Sequence, residues 1–108
     1  MRWDPYIWDL FVRVLHDAPS HSLVVDVGAN IGYFTMMAAA MGHDVVAFEP
    51  MPHNLGRLRS SVRANGFGSL VTVVDRAAAQ TAGARVSFAA THITNQVTYS
   101  FHFQSHPL

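Results

Sequence analysis

Apolar residues along the first two thirds of the chain switch between helical and extended spacing, in an order typical of an α/β domain. Asp4-Pro5 marks the start of a predicted helix that runs to about Asp17. Its apolar stripe is expected to pack on a sheet and consists of Ile7, Leu10, Phe11, Val14 and Leu15. We take residues 1–108 as a single domain in which residues 1–20 carry this helix.

Three apolar runs predict strands, at Leu23–Val27, Asp44–Phe48 and Leu70–Val74. The first reads as a central parallel strand that is buried on both faces. Asn30 is expected to cap a helix over Ile31–Met41 that Gly42 ends. With right-handed crossovers, the β-α-β-α-β order predicts a parallel sheet of strand order 3-2-1.

A further helix is predicted between the second and third strands. It begins near Pro52, ends at Asn65-Gly66 and turns three apolar residues inward, namely Leu55, Leu58 and Val62. Beyond Asp75, Arg85–Ala89 and Val97–Phe103 alternate around Thr94-Asn95, which predicts a β-hairpin or meander.

Composition narrows the function classes. Half of the 108 residues are hydrophobic and 13% are charged, so a packed core is expected. Seven basic and seven acidic residues give a formal charge of zero, which argues against nucleic acid or an anionic membrane as partner. The absence of cysteine excludes thiolate metal sites. Asp4 and Asp9 interrupt any apolar segment that could serve as a secretory signal, so we expect a cytoplasmic protein. The His102 and His106 pair lies in a strand or tail, and no metal site is expected.

The motif that carries chemistry is Asp26-x-Gly28-x-x-x-Gly32, which joins the first strand to the next helix. Glycine suits a turn that needs positive φ or close approach of a ligand, and a helix N-terminus there is expected to offer free N–H groups. This spacing is not the dinucleotide fingerprint, which disfavours a nicotinamide cofactor. It suits a cofactor without phosphate, and S-adenosylmethionine is such a molecule. Glu49, which follows the second strand, is placed to accept hydrogen bonds from both ribose hydroxyls. Asp26 is placed to face the cationic amino end of the cofactor.

Two sequence segments together resemble the FkbM-type S-adenosylmethionine-dependent methyltransferases. They are Val25–Phe34 and Val46–Pro50, and the likeness extends loosely over residues 20–100. The resemblance implies S-adenosylmethionine as cofactor and methyl transfer to a hydroxyl, often on a sugar or natural product. Members of that family continue into a fourth parallel strand with an Asp-x-Glu-Gly-type motif, which this sequence lacks. We therefore expect an α/β, truncated Rossmann-like class I methyltransferase fold.

The candidate cofactor-binding residues are Asp26, Gly28, Ala29, Asn30, Gly32, Tyr33, Glu49, Pro50 and Asp75. Some have alternative roles. Asp75 either approaches the adenine amino group or is a solvated acid at a strand end. Tyr33 and Phe34 either touch the cofactor or pack the helix on the sheet. His53 is either a general base or a helix-cap residue, and no catalytic base is assigned.

Two further expectations concern solvated and unpaired surfaces. A mostly solvated helix face is expected for Arg57, Arg59 and Arg63. Without a fourth strand, the edge of Leu23–Val27 is apolar and unpaired, so Ile93–Phe103, a second copy or another partner chain is expected to cover it. The alternative to an enzyme acting on a small-molecule acceptor is a non-catalytic nucleoside-binding or interaction module derived from a methyltransferase.

Overall fold

The fold consists of helices and strands in strict alternation, followed by a β-hairpin. The structure is a computed structural model that describes residues 4–78, 85–91 and 96–102. Its elements in chain order are α1 (Pro5–Asp17), β1 (Leu23–Val27), α2 (Tyr33–Ala40), β2 (Asp44–Phe48), α3 (Pro52–Ala64), β3 (Val71–Val74), β4 (Arg85–Thr91) and β5 (Gln96–His102). Within this part of the chain, no helix is long and apolar enough to cross a membrane.

The first three strands form a parallel sheet in the order β1-β2-β3. Val25 lies beside Val46 of β2, and Val46 lies beside Thr72 of β3. The predicted strand order is therefore confirmed. The predicted hairpin is also confirmed, because β4 and β5 pair antiparallel in a separate sheet. Its predicted turn, Thr94-Asn95, lies outside the described residues.

The core occupies one face of the parallel sheet. Residues in register in a parallel sheet share a face, and the buried strand residues Val45, Ala47 and Val71 belong to one cluster. All three helices contribute to the same cluster, through Leu15, Ala38, Ala39, Leu58 and Val62. Ala38 and Ala39 are 0% and 2% exposed. Their small side chains suit a close approach of α2 to the sheet.

The other face of β1 is not buried within the described part of the chain. Leu23, Val25 and Val27 are 64%, 47% and 54% exposed. The prediction that this strand is buried on both faces is therefore wrong. The physical reason is that the helices contribute to a cluster on the opposite face, and β1 pairs with β2 alone among the described strands.

The segment predicted to cover the β1 edge forms part of the hairpin instead. Of the segment Ile93–Phe103, the described part Gln96–His102 pairs with β4 rather than with β1. The prediction that this segment pairs with the β1 edge is therefore wrong for Gln96–His102. A second copy or a partner chain stays a prediction.

Helix α1 begins as predicted but buries a different face. The Asp4 carboxylate accepts a hydrogen bond from the Tyr6 backbone N–H at 2.9 Å, and a proline occupies the first turn. Leu15 is buried and Phe11 partly buried, as expected. The other members of the predicted stripe are 57%, 62% and 58% exposed, namely Ile7, Leu10 and Val14.

Aromatic packing on α2 explains this rotation of α1. The rings of Trp8 and Phe11 lie 5.7 and 4.9 Å from the ring of Phe34, and the Trp8 ring lies 4.6 Å from that of Tyr33. Large aromatic rings bury more area than aliphatic side chains and gain from offset or edge contacts. The stripe that contains Trp8 and Phe11 therefore faces α2, and the neighbouring aliphatic stripe faces outward.

His43 connects α1 to the loop before β2. It is 2% exposed, and its Nε2 lies 2.8 Å from the backbone carbonyl oxygen of Leu15. Because a carbonyl only accepts, Nε2 carries the proton in this contact. Nδ1 is buried without a hydrogen-bond partner among the described residues. One ring nitrogen of His43 thus bonds the end of α1 to the loop before β2.

We expect His43→Ala to lower the free energy of unfolding by about 2–3 kcal/mol, since it removes a buried hydrogen bond and leaves a cavity. Urea unfolding followed by circular dichroism measures this change. His16→Ala is the control, because the His16 side chain is 80% exposed and its removal should change stability by less than about 0.5 kcal/mol. Equal losses in both variants would contradict the bracing role of His43.

Candidate functional site

Two adjoining cavities lie at the carboxyl ends of β1 and β2. One, of about 310 Å³, is lined by Asp26 to Ile31 together with Tyr33 and Phe34. The other, of about 230 Å³, is lined by Val27, Gly28, Phe48, Glu49, Pro50, Arg76, Ala77 and Ala78. Both share Val27 and Gly28, so the turn after β1 separates them. Ligands of open α/β sheets bind at this end of the strands.

The turn after β1 is hydrogen-bonded to the end of β2 through three consecutive backbone N–H groups. The N–H groups of Gly28 and Ala29 both donate to the Phe48 carbonyl oxygen at 2.9 Å. The N–H of Asn30 donates to Glu49 Oε1 at 2.9 Å. These three groups belong to the turn, before α2 begins at Tyr33, and are not free to donate to a ligand. The reason is that β2 ends beside the turn and presents two strong acceptors to it.

Glu49 is a buried carboxylate that bonds to two loops at once. It is 4% exposed, and its second oxygen, Oε2, accepts from the Met51 backbone N–H at 2.8 Å. Each carboxylate oxygen has two lone pairs, so each keeps acceptor capacity after these bonds. Glu49 also lines the 230 Å³ cavity. It can therefore hold the turn in place and still accept hydrogen bonds from the hydroxyl groups of a ligand.

Asp26 stands on the other side of the turn and lines the 310 Å³ cavity. The Thr35 hydroxyl donates to its Oδ2 at 2.6 Å. Thr35 was not among the predicted site residues, although a hydroxyl within the otherwise apolar Tyr33–Ala40 segment was a signal for it. Within residues 4–78, the ion pairs are His16–Asp17, His21–Asp44 and Arg59–Asp75, so none involves Asp26.

The two glycines of the motif have different roles. Gly28 has a φ of 73°, and a Cβ built on it would meet nothing within 4 Å. Gly32 is buried with a φ of 96°, and a Cβ there would lie 2.5 Å from Leu58 Cδ1. Gly28 is therefore needed for its left-handed conformation at the cavities. Gly32 is needed for the close approach of α3.

The residue that caps α2 is Gly32 and not the predicted Asn30. Asn30 has a φ of 58° and lies two residues earlier. The prediction that Asn30 caps this helix is wrong, because the left-handed residue continues the turn before the helix begins. Asn30 contributes its backbone N–H to Glu49 instead.

Of the remaining candidates, Ala29, Pro50 and Tyr33 line the cavities and Asp75 does not. Ala29 and Pro50 line the larger and the smaller cavity, respectively. Tyr33 lines the larger cavity and packs on Trp8, so its packing partner is α1 rather than the sheet. Asp75 is exposed and pairs with Arg59 at 3.9 Å, and it is not among the residues that line either cavity.

The histidine and arginine side chains considered from the sequence are not among the residues that line these cavities. His53 is exposed near the start of α3 and lines neither cavity. Arg57, Arg59 and Arg63 are exposed, as predicted. Among the residues that the structure describes, no group of three or more histidine and acidic side chains is placed to hold a metal ion. His106 lies outside that part of the chain.

Comparisons with known proteins support the fold. No protein-family model and no curated protein sequence matches the chain. The solved structures that it resembles include an S-adenosylmethionine-dependent methyltransferase from Agrobacterium tumefaciens, with a TM-score of 0.59 and 15% identity over 67% of this chain and 23% of that one. TYW2 of P. horikoshii, solved in complex with MeSAdo, gives a TM-score of 0.57 and 23% identity over 71% and 30%.

A methyltransferase from Aquifex aeolicus that depends on the same cofactor gives a TM-score of 0.51 and 22% identity over 66% and 41%. The chain thus spans between about a quarter and two fifths of the length of these structures. At these identities the likeness establishes the fold. The chain has the α/β, Rossmann-like fold of these methyltransferases.

We expect Gly32→Ala to destabilise the protein by more than Gly28→Ala, because both place Ala at positive φ but only the former contacts Leu58 Cδ1. The conformational cost alone is about 1–2 kcal/mol. Leu58→Val removes the contacting atom, so in that background the cost of Gly32→Ala should fall to that of Gly28→Ala. Urea unfolding of the parent, the three single variants and the Gly32→Ala/Leu58→Val double variant measures this coupling. An unchanged cost of Gly32→Ala in the Leu58→Val background would contradict the packing role.

Proposed function

We propose that this chain binds S-adenosylmethionine across the turn after β1, as the cofactor-binding part of a methyltransferase. The observation that carries the proposal is the position of two carboxylates on opposite sides of Gly28. Asp26 lines one cavity and Glu49 lines the other. The cofactor has a cationic amino group at one end and a ribose with two hydroxyls near the other, so it offers a partner to each carboxylate.

The cavities fit a ligand of this kind in size and chemistry. Their volumes of about 310 and 230 Å³ together fall within the range of roughly 300–1,000 Å³ that is typical of small-molecule sites. Open space at Gly28 leaves room for the ligand to pass over the turn. When bound, S-adenosylmethionine supplies a methyl group activated by a sulfonium. The contribution of this chain is to orient that cofactor, and we assign it no catalytic base.

A dinucleotide fits this site poorly. A pyrophosphate needs backbone N–H groups that are free to donate, and those of Gly28, Ala29 and Asn30 are bonded to the end of β2. Releasing them would leave the buried Glu49 carboxylate without one of its two donors. The hydrogen bonding of the turn therefore supports the choice of cofactor that its glycine spacing indicates.

The reaction we propose is methyl transfer to a hydroxyl of a small molecule, such as a sugar or natural product. It rests on the resemblance of Val25–Phe34 and Val46–Pro50 to the FkbM-type enzymes. The chain spans only part of the length of the solved methyltransferases. We therefore propose that the acceptor site lies outside the residues that the structure describes.

A second candidate is an interaction module that retains the nucleoside site. The exposed apolar side chains of Leu23, Val25 and Val27 favour it. Among the described strands β1 pairs with β2 alone, and a free strand edge is a template for another chain. In this alternative, a second copy or a partner chain pairs with β1. Both candidates share the cofactor site, so binding of the cofactor does not separate them.

The test of the cofactor site changes the ligand as well as the protein, because Glu49 also holds the turn. S-adenosylhomocysteine and its 2′,3′-dideoxy analogue are titrated calorimetrically into the parent chain and Glu49→Gln. Loss of hydroxyls bonded to a carboxylate should weaken binding to the parent by about 1.5–3 kcal/mol, roughly ten- to a hundredfold. In Glu49→Gln the same change of ligand should cost much less.

Equal loss of affinity in both proteins would refute the contact between Glu49 and the ribose. Asp75→Asn is a matched variant that also removes one carboxylate, and the ligand difference should remain as in the parent. A dinucleotide such as NAD serves as the negative control. If NAD bound and S-adenosylhomocysteine did not, the proposed cofactor would be wrong.

A further inference from the structure

Thr35 offers its hydroxyl to a strand rather than to its own helix. It is the third residue of α2, is 0% exposed, and donates from Oγ1 to Asp26 Oδ2 at 2.6 Å. A helical threonine ordinarily bonds a carbonyl one turn back, where its hydroxyl needs no tertiary partner. Valine would fill nearly the same volume in this apolar helix without a polar group to satisfy. The buried hydroxyl is therefore explained by its bond to Asp26.

Asp26 has no ion-pair partner among the side chains that the structure describes. It is half-buried at the wall of the 310 Å³ cavity, and no side chain of residues 4–78 forms an ion pair with it. Partly buried carboxylates are costly unless a cation or several donors balance them. The bond from Thr35 satisfies part of Oδ2 but is neutral. A cationic group on a ligand in the cavity would complete the balance at Oδ1.

We propose that Thr35 is a positioning residue whose hydroxyl fixes the Asp26 carboxylate to receive the cationic amino group of the ligand. The inference deepens the proposed function and rests on it. By holding Oδ2, the hydroxyl restricts rotation of the carboxylate and presents Oδ1 to the cavity. The amino-acid end of S-adenosylhomocysteine carries that cation, and 5′-methylthioadenosine lacks the whole amino-acid end. The two ligands therefore separate the role of Thr35 from that of the adenosine site.

The experiment compares Thr35→Val, which keeps the shape, with Thr35→Ser, which keeps the donor. Calorimetric titrations use S-adenosylhomocysteine, its desamino analogue and 5′-methylthioadenosine, and urea unfolding reports the stability of each variant. We expect Thr35→Val to bind S-adenosylhomocysteine roughly tenfold more weakly, as for loss of one charge-assisted interaction. Its affinity for 5′-methylthioadenosine and for the desamino analogue should stay within about twofold of the parent. Thr35→Ser should behave as the parent with all three ligands.

Two results would overturn the inference while the proposed cofactor site stands. One is an equal loss of affinity for all three ligands in Thr35→Val, which would assign the hydroxyl a purely structural role. The other is equal affinity of the parent for S-adenosylhomocysteine and its desamino analogue, which would show that no cation is recognised. If the parent bound neither S-adenosylhomocysteine nor 5′-methylthioadenosine, the proposed function would fail and this inference with it.

Discussion

The buried carboxylate of Glu49 is the interaction on which the geometry of the site depends. It accepts from the Asn30 and Met51 backbone N–H groups and so joins the loop after β1 to the loop after β2. The Phe48 carbonyl reinforces this junction by accepting from Gly28 and Ala29. A charged acceptor makes stronger hydrogen bonds than a neutral one, and burial strengthens them further. Both cavities take their shape from the turn that these bonds immobilise.

The same junction distinguishes this turn from the phosphate-binding turns of other α/β proteins. In a phosphate-binding turn, the ligand satisfies the backbone N–H groups. Here the protein satisfies three of them internally, so the turn contributes shape rather than positive potential. In the function that we propose, recognition falls to side chains on either side of the turn, where Asp26 and Glu49 line the two cavities.

The sequence predicted the elements, their order and the hairpin, because each depends on local periodicity and on glycine or proline at the ends. It predicted less well which side of an element is buried. In α1 two apolar stripes lie next to each other, and only the aromatic rings on α2 decide between them. The local pattern also missed bonds between residues far apart in sequence, such as His43 to Leu15 and Thr35 to Asp26.

The position of Gly32 shows a related limit. In sequence it reads as a residue for positive φ or for close approach of a ligand; the structure shows the positive φ, and the close approach is that of Leu58. Only the packing of α3 distinguishes these two uses of glycine. For Asp26 and Glu49, the predicted placement at strand ends agrees with the structure, since the carboxyl ends of parallel strands meet at one edge. Their predicted contacts with a ligand remain proposals.

Tyr33 belongs both to the wall of the larger cavity and to the aromatic cluster, where its ring centroid lies 4.6 Å from that of Trp8. An indole in such close contact with a neighbouring ring has an emission that depends on the position of that ring. A ligand that displaces Tyr33 would therefore alter the fluorescence of Trp8, although Trp8 belongs to a different helix. Binding of the proposed cofactor against Tyr33 would then be followed through tryptophan emission without any attached dye.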